Sequence, residues 1–205
     1  MHKEILSGNQ IEFLPLVKQF VHEYYLADGT TIALYIGHRR SIDFDLFKLT
    51  ALNHKKIVSK ISALGYPYTI TRRVSEQMNI TIKDVEFTFF EYPFRIEVKN
   101  KFENSLRLPD LIDLAAMKAY ALGRRSKWKD YVDMYFILKY FYSIGHISKK
   151  AIEIYDQLFS EKLFRAQLSY FNDIDHSESI EYLVPAVSEG EIEKFLIDKA
   201  TDFDI

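Results

Sequence analysis

The sequence predicts an α+β protein in which a lobe with a mixed sheet flanked by helices, residues 1–107, precedes a helical lobe, residues 108–205. Runs in which apolar and polar residues alternate fall before residue 108, whereas apolar residues recur at helical spacing after it. Gly and Pro number only 7 and 5, and hydrophobic residues make up 48% of the chain. This composition is typical of well-formed elements around a sizeable core.

The first lobe is predicted to mix helices and strands. Apolar spacing predicts a helix over 10–24, and "TTIALYIG" predicts a short helix that ends at Gly37. The runs "YYLA" (24–27) and "SIDFDLF" (41–47) predict strands, the second half-buried because its residues alternate. Further along the chain, the predicted elements are a helix over about 53–64 and the β-prone runs "YTITRRVS", "MNITIKD" and "VEFTFFEYPF".

From Pro109 onward the pattern becomes helical. "PDLIDLAAMKAYALG" predicts a helix with Asp110 as its N-cap and Gly123 beyond its end. "KDYVDMYFILKYFYS" is apolar on most sides, which predicts a central helix. The segments 148–171 and 189–200 continue the helical pattern.

Composition excludes several classes of protein. The chain has no Cys, so disulfides, thiolate zinc sites and Cys nucleophiles are ruled out. A net charge of −2 gives no global basic field for nucleic acid, although cationic residues cluster locally. No apolar run approaches the ~20 residues that span a bilayer, and the first residues lack the apolar segment of a signal peptide. We therefore expect a soluble, cytoplasmic protein without a membrane partner.

Asp43 and Asp45 are the first candidate site. Residues i and i+2 of a strand point the same way, about 6.6 Å apart along it. Two carboxylates on one face can hold Mg²⁺, which prefers oxygen ligands and shares them with phosphates. An ordinary surface pair is the alternative, because Asp-x-Asp also occurs at 173/175 and 202/204.

Gly29 and Thr30 are the second candidate site. A Gly turn at the start of a helix presents free N–H groups that favour a phosphate, and Thr30 adds a hydroxyl. A simple turn with an N-cap is the alternative. Arg39 could bind a triphosphate through paired hydrogen bonds, or could complement the end of the helix dipole. His38 is interpreted as structural, since no second His lies at metal-ligand spacing.

These motifs occur in a recognisable order. Leu-Ala-x-Gly-Thr, an apolar helix, Gly-His-Arg-x-Ser and Asp-x-Asp-Leu-Phe together resemble the start of the AbiEii/AbiGii-type nucleotidyltransferase toxin family. That family belongs to the DNA polymerase β-like nucleotidyltransferase superfamily. "DLIDLAAMKAYALGRRSKWKDYVDMYFILK" (110–139) resembles its later segment, and "FTFFEYPF" (87–94) the strand before it. The resemblance covers roughly residues 20–140.

The resemblance implies a polymerase β-like lobe followed by a helical lobe. It implies transfer of a nucleotidyl group from an NTP to an acceptor hydroxyl, on RNA and in particular at tRNA 3′ ends. It also implies the toxin half of an abortive-infection toxin–antitoxin pair, with a cognate antitoxin protein as partner. Mg²⁺, or Mn²⁺, would be bound by Asp43 and Asp45.

Further site residues follow from the same resemblance. Lys118 would contact the nucleotide, and Asp130 would orient the acceptor or act as a base. The nucleotide-binding set would be Gly29, Thr30, Arg39, Ser41 and Lys118. A cationic cluster would contact the phosphates of the acceptor, with Trp128 or Tyr131 as a stacking surface; its members are Arg124, Arg125, Lys127 and Lys129. A solvated helix lysine, a first-turn acid and a solvated loop remain the ordinary alternatives for Lys118, Asp130 and the cluster.

The chain departs from the family at two positions. Asp28 stands where the family has Gly, and its carboxylate would repel a triphosphate unless it turns away or caps the helix. Thr88 aligns with the third carboxylate of polymerase β-like enzymes; Glu86 shares its face and Glu97 lies downstream, neither at the expected place. A catalytically weakened nucleotide-binding or partner-binding protein of the same fold is therefore the second hypothesis, and a purely structural module the third.

Overall fold

The computed structural model describes residues 1–103 and 106–202, which contain eight α-helices and seven strands. The strands are β1 Tyr25–Ala27, β2 Phe44–Lys48, β3 Thr69–Arg73, β4 Gln77–Ile82, β5 Val85–Glu91, β6 Asn100–Phe102 and β7 Leu106–Leu108. The helices are α1 Gly8–Lys18, α2 Asp28–Ile36, α3 His54–Ser62, α4 Leu111–Leu122, α5 Trp128–Tyr140, α6 Ile144–Tyr155, α7 Glu161–Leu168 and α8 Glu189–Thr201.

Five strands form one mixed sheet in the order β1-β2-β5-β4-β3. β2 and β5 are parallel, and the other neighbours are antiparallel. Asp45 lies opposite Thr88, and Thr88 lies opposite Asn79. Paired residues point to the same side of a sheet, so these three polar side chains share one face.

The other face of the sheet is apolar and packs beneath α1 and α3. Phe44, Met78 and Phe87 of this face are fully buried. Phe13 of α1 meets Phe87 edge-on, with 5.7 Å between ring centroids. Because these helices cover only the apolar face, the polar face is left to line a cleft.

α4 and α5 form the centre of a second core. Tyr131 and Tyr135 of α5 are fully buried, and Tyr120 of α4 stacks on Tyr155 of α6 with 3.9 Å between ring centroids. Residues from both predicted lobes contribute to this core, which also contains Ala27. The predicted boundary between residues 107 and 108 stays a prediction.

Residues 169–188 connect α7 to α8 as an extended segment, which we call the strap. Its main chain is attached at two places. Asp175 exchanges hydrogen bonds with the segment before α5, donating to Ser126 at 2.7 Å and accepting from Trp128 at 3.0 Å. Leu183 donates to the carbonyl of His38 at 3.0 Å. The strap therefore crosses from the helical part to the segment that precedes β2.

The predicted α+β class is confirmed. α2 ends at Gly37, whose φ of 75° is left-handed as its predicted role in ending the helix requires. α1 ends at Lys18, earlier than predicted, and a turn leads to β1. The sequence pattern missed β6 and β7, which have three residues each and are too short to show periodicity.

Two aspartates named from the sequence, Asp110 and Asp204, have separate outcomes. Asp110 occupies the N-cap position of α4, as predicted, although its carboxylate accepts from Asn100 and makes no hydrogen bond to the helix. Asp204, part of the last Asp-x-Asp pair, lies outside the described residues. None of the helices within residues 1–103 and 106–202 is long and apolar enough to cross a membrane.

Candidate active cleft

A polar cleft of about 550 Å³ lies on the open face of the sheet. Its floor is formed by β2, β5 and β4, and its rim by the start of α2, the segment between α4 and α5, and the strap. Eight of the residues predicted from the sequence line it together: Gly29, Arg39, Ser41, Asp43, Asp45, Arg125, Lys127 and Lys129.

Asp43 and Asp45 are half-buried and face the cleft, as the period-two pattern predicts. Burial, and then the negative charges of Asp28 and Asp43, raise the pKa of Asp45 to about 7. Burial also raises the pKa of Asp43, against the opposing charge of Lys129. Two carboxylates with raised pKa values on one face form a negative site that a bound cation would stabilise.

The donor set suits a divalent metal that shares its ligands with substrate. Two carboxylates can hold Mg²⁺ when waters and phosphate oxygens supply the remaining ligands. Within residues 1–103 and 106–202, no group of three or more His, Asp or Glu side chains is arranged to hold a metal ion by itself. The residues present therefore fit a metal that binds together with an anionic substrate.

Thr88, which the family resemblance aligned with a third carboxylate, lies directly opposite Asp45. Glu86 precedes it by two residues on the same face and lines the cleft. Its carboxylate accepts from Asn79 Nδ2 at 2.9 Å and from Thr71 Oγ1 at 3.3 Å. Glu97 is exposed and pairs with Lys99 at 2.8 Å, outside the cleft lining.

Thr30 has a different role from the one predicted. Its side chain is fully buried, and its hydroxyl donates to the main-chain carbonyl of Asp43 at 2.5 Å. The Ser41 hydroxyl lies 2.8 Å away. Thr30 thus holds the segment that enters β2 and so positions Asp43, while Ser41 lines the cleft.

Gly29 is required by close packing. A Cβ atom there would lie 2.8 Å from Arg39 Nη2. That guanidinium is buried and bound to Asp133, with Nε to Oδ1 at 2.7 Å and Nη2 to Oδ2 at 2.9 Å. Both sequence-based interpretations of Arg39 therefore miss its principal contact, which is a buried bidentate ion pair.

The carboxylate of Asp28 is paired with two cations. It accepts from Lys118 Nζ at 2.5 Å and from Arg125 Nη2 at 2.6 Å. Burial alone would raise the pKa of Asp28, but Arg125 and Lys118 lower it far below its ordinary value. The repulsion of a triphosphate that a free carboxylate would exert is correspondingly reduced.

Lys118 and Asp130 lie at the buried side of the same cluster. Asp130 accepts from Lys118 Nζ at 2.6 Å and from Arg125 Nε at 2.7 Å, and Lys118 Nζ lies 3.3 Å from Asp133 Oδ2. Three carboxylates, Asp28, Asp130 and Asp133, thus face three cations, Arg39, Lys118 and Arg125. We call these six residues the ion cluster.

His38 is structural, as predicted. Its ring is buried, and Nε2 lies 2.8 Å from Asp133 Oδ1. Burial lowers the pKa of His38 despite the neighbouring carboxylate. Sequence reasoning missed Asp133 itself; an aspartate in the otherwise apolar run "YVDMYF" is the signal that could have found it.

The cationic cluster predicted for the acceptor divides into separate contacts. Lys127 and Lys129 both pair with Glu178 of the strap, the latter at 2.5 Å. Arg124 is exposed and lies over the ring of Tyr120, 3.4 Å from its centroid. Glu178, which also lines the cleft, was not predicted and carries no local signal in the sequence.

The predicted stacking surface is wrong. Trp128 is 4% exposed and stacks on His176, and Tyr131 is fully buried. Neither ring is available to a base of RNA.

Solved structures of other proteins are similar to this chain. MenT4, a nucleotidyltransferase toxin from Mycobacterium tuberculosis, is similar to 96% of this chain over 82% of its own, with 14% identity and a TM-score of 0.64. A Helicobacter pylori protein proposed to be a nucleotidyltransferase is similar over 95% of this chain and 94% of its own, with 16% identity and a TM-score of 0.56. The chain has a nucleotidyltransferase fold.

Sequence comparison also finds a relative of this chain. An uncharacterised protein from Aquifex aeolicus is 25% identical over 190 residues, which are 89% of this chain and 88% of the relative. No family model matches the sequence.

Proposed function

We propose that this protein transfers a nucleotidyl group from an NTP to an acceptor hydroxyl. One observation carries the proposal: Asp43 and Asp45 face a cleft that Arg125, Lys127 and Lys129 also line. Carboxylates for a metal and cations for phosphates in one cleft suit phosphoryl chemistry, in which catalysis is mostly positioning and charge stabilisation. The nucleotidyltransferase fold supports the same reaction class.

In the proposed reaction the acceptor oxygen attacks the α-phosphorus, its proton passes to solvent and pyrophosphate leaves. Asp43 and Asp45 would hold Mg²⁺ or Mn²⁺, which would supply neutralisation of phosphate charge when bound. Gly29 and Ser41 line the phosphate side of the cleft, where the start of α2 favours an anion. Lys127 and Lys129 bind phosphate oxygens in place of Glu178.

The ion cluster positions these groups. Lys118 and Asp130 act through it, because both are buried and paired: they hold Asp28 and Arg125 at the edge of the cleft. In this proposal Asp130 is a positioning residue and not a base. Arg125, whose side chain is 37% exposed, is the member that reaches substrate.

RNA, in particular the 3′ end of tRNA, is the acceptor that the resemblance to AbiEii/AbiGii-type toxins suggests. The same resemblance suggests a toxin restrained by a cognate antitoxin. MenT4, whose fold is similar, is a nucleotidyltransferase toxin, and this supports the proposal that the present protein is a toxin.

The test is transfer of label from each α-³²P-NTP to total RNA, with Mg²⁺ or Mn²⁺. We expect the Asp43→Asn/Asp45→Asn double variant to lose at least about 100-fold in rate, since charge stabilisation of this kind is commonly worth two to three decades. Asp173→Asn/Asp198→Asn removes two exposed acids and should keep full activity. Persistent labelling by the Asp43/Asp45 variant contradicts the proposal.

A catalytically weakened binding protein is the second candidate. Thr88 at the position of a third carboxylate, and Asp28 within reach of the phosphate site, favour it. This candidate requires NTP binding that is unaffected by divalent metal, together with no transfer to any RNA. Titration of NTP with and without Mg²⁺ distinguishes the two.

A further inference from the structure

An apolar pocket of about 370 Å³ adjoins the cleft, between the sheet and α4. We call it the aromatic pocket. Its walls include five aromatic side chains and one methionine: Phe47, Phe90, Phe94, Tyr92, Tyr120 and Met117. Its volume lies within the about 300–1,000 Å³ of typical small-molecule sites, so it is large enough to hold a flat ring system.

The aromatic pocket continues the cleft. The two share Asp28, Phe47, Phe90 and Arg125 in their linings. Phe47 follows Asp45 by two residues on the same face of β2, a distance of about 6.6 Å along the strand. A nucleotide whose phosphates lie against Asp45 and whose ribose runs along β2 would bring its base to the aromatic pocket beyond Phe47.

The walls are suited to a planar, uncharged ring. Phe47, Phe90 and Phe94 are half-buried, so each retains some exposed surface. The ring of Tyr120 is covered by Tyr155 on one face and by Arg124 on the other, so it forms a wall of the pocket rather than a stacking surface. Phe47 and Phe90 lie 5.2 Å apart between centroids, and Phe94 and Tyr120 lie 5.4 Å apart. Aromatic side chains bind bases by stacking, without selecting strongly among them.

Two arginines lie at the opening, next to the Asp28 carboxylate. Arg124 lies over Tyr120, and Arg125 stands between the aromatic pocket and the cleft, paired with Asp28 and with its side chain 37% exposed. A ligand with a ring at one end and phosphates at the other matches this order of apolar and cationic surfaces. We propose that the aromatic pocket binds the nucleobase of the donor nucleotide; this inference rests on the function proposed above.

The first test observes the pocket directly. With ¹³C-methyl methionine, NMR reports Met117 inside the aromatic pocket and Met78 buried beneath the opposite face of the sheet. Addition of an α,β-methylene NTP with Mg²⁺ should shift the Met117 methyl through the ring current of the base and leave Met78 unchanged. Inorganic tripolyphosphate, which has no ring, should leave Met117 unshifted.

The second test measures affinity by calorimetry. Phe90→Leu/Phe94→Leu keeps the pocket apolar but removes two half-buried rings. We expect affinity for the NTP analogue to fall about 5- to 150-fold, the equivalent of one lost stacking contact, with tripolyphosphate affinity unchanged. Tyr140→Leu removes a ring that is 62% exposed on α5 and should change neither. Thermal unfolding of each variant checks that it remains folded.

The outcomes separate this inference from the function on which it rests. If neither the analogue nor tripolyphosphate binds, the proposed function fails and the nucleobase site with it. If both bind with equal affinity and Met117 does not shift, the nucleobase site is overturned while the function stands. A Met117 shift that requires an oligoribonucleotide would assign the pocket to the acceptor and would also overturn it.

Discussion

The surroundings of individual aspartates determine the charge that each one brings to the cleft. Asp28 and Asp45 both carry carboxylates that line it, yet their pKa values move in opposite directions. Asp28 lies against Lys118 and Arg125, whereas Asp45 is half-buried beside other acids. Asp28 therefore stays ionised, and ionised Asp45 is destabilising until a cation binds.

Asp45 gives a pH-dependent prediction for stability. Its folded pKa of about 7 lies above the unfolded value of about 3.9, so ionising it costs stability as pH rises between these values. Asp45→Asn should raise the free energy of unfolding at pH 8 by about 1–2 kcal/mol, discounted for partial exposure, and change it less at pH 5.

Thermal unfolding at the two pH values measures this difference, at about 2–4 °C per kcal/mol for a chain of this size. Asp173→Asn, at an exposed acid, is the matched control. Equal effects of Asp45→Asn at pH 5 and pH 8 would refute the assignment. Mg²⁺ should stabilise the wild type at pH 8 more than the Asp45 variant.

At the scale of secondary-structure elements, a hydrogen bond and a close packing contact join the start of α2 to the segment that enters β2. The Thr30 hydroxyl of α2 holds the carbonyl of Asp43, and Gly29 allows Arg39 to lie against the same turn. Arg39 in turn binds Asp133 of α5. The start of α2 thus connects the sheet, the segment before β2 and the helical layer.

Gly29→Ala tests this packing. The added methyl would lie 2.8 Å from Arg39 Nη2, and that guanidinium is held by Asp133 and cannot move without breaking a buried ion pair. We expect a loss of about 1–3 kcal/mol in the free energy of unfolding by urea denaturation. Gly8→Ala, where no atom lies within 4 Å of the added Cβ, should be neutral or slightly stabilising. Similar values for the two variants would contradict the packing argument.

Across the whole molecule, the strap brings a late part of the chain to the cleft. Glu178 faces Lys127 and Lys129 and neutralises the rim on which phosphates are proposed to lie. Asp175 and Leu183 fix the strap on either side of it through main-chain hydrogen bonds. A substrate anion therefore competes with a carboxylate of the same chain.

Glu178→Gln should relieve this competition. Because partly exposed ion pairs contribute about 0.2–1 kcal/mol, we expect tripolyphosphate to bind roughly 2- to 5-fold more tightly at low salt, with a smaller gain at 0.5 M salt. Glu181→Gln removes the same charge from the strap at its pair with Arg40, outside the cleft lining. It should leave the affinity unchanged. Unchanged or weaker binding by the Glu178 variant would count against the competition.

The sequence by itself determined most of the elements, though not β6 and β7, and the common face of Asp43 and Asp45. Period-two alternation in "SIDFDLF" and a glycine at the end of α2 are local features, since they depend on neighbours in the chain. The site was predictable to that extent: Gly29, Arg39, Ser41, Arg125 and the two rim lysines do line one cleft with the aspartates.

Only the tertiary structure decided what these residues contact. Asp28 pairs with Lys118 and Arg125 from the helical part, Thr30 turns inward, and Glu178 arrives on the strap. Trp128 is buried rather than exposed, and rings distant in sequence form one aromatic pocket. These outcomes depend on packing between elements far apart in the chain, where burial forces each charge to find a partner, and no local periodicity specifies which partner that is.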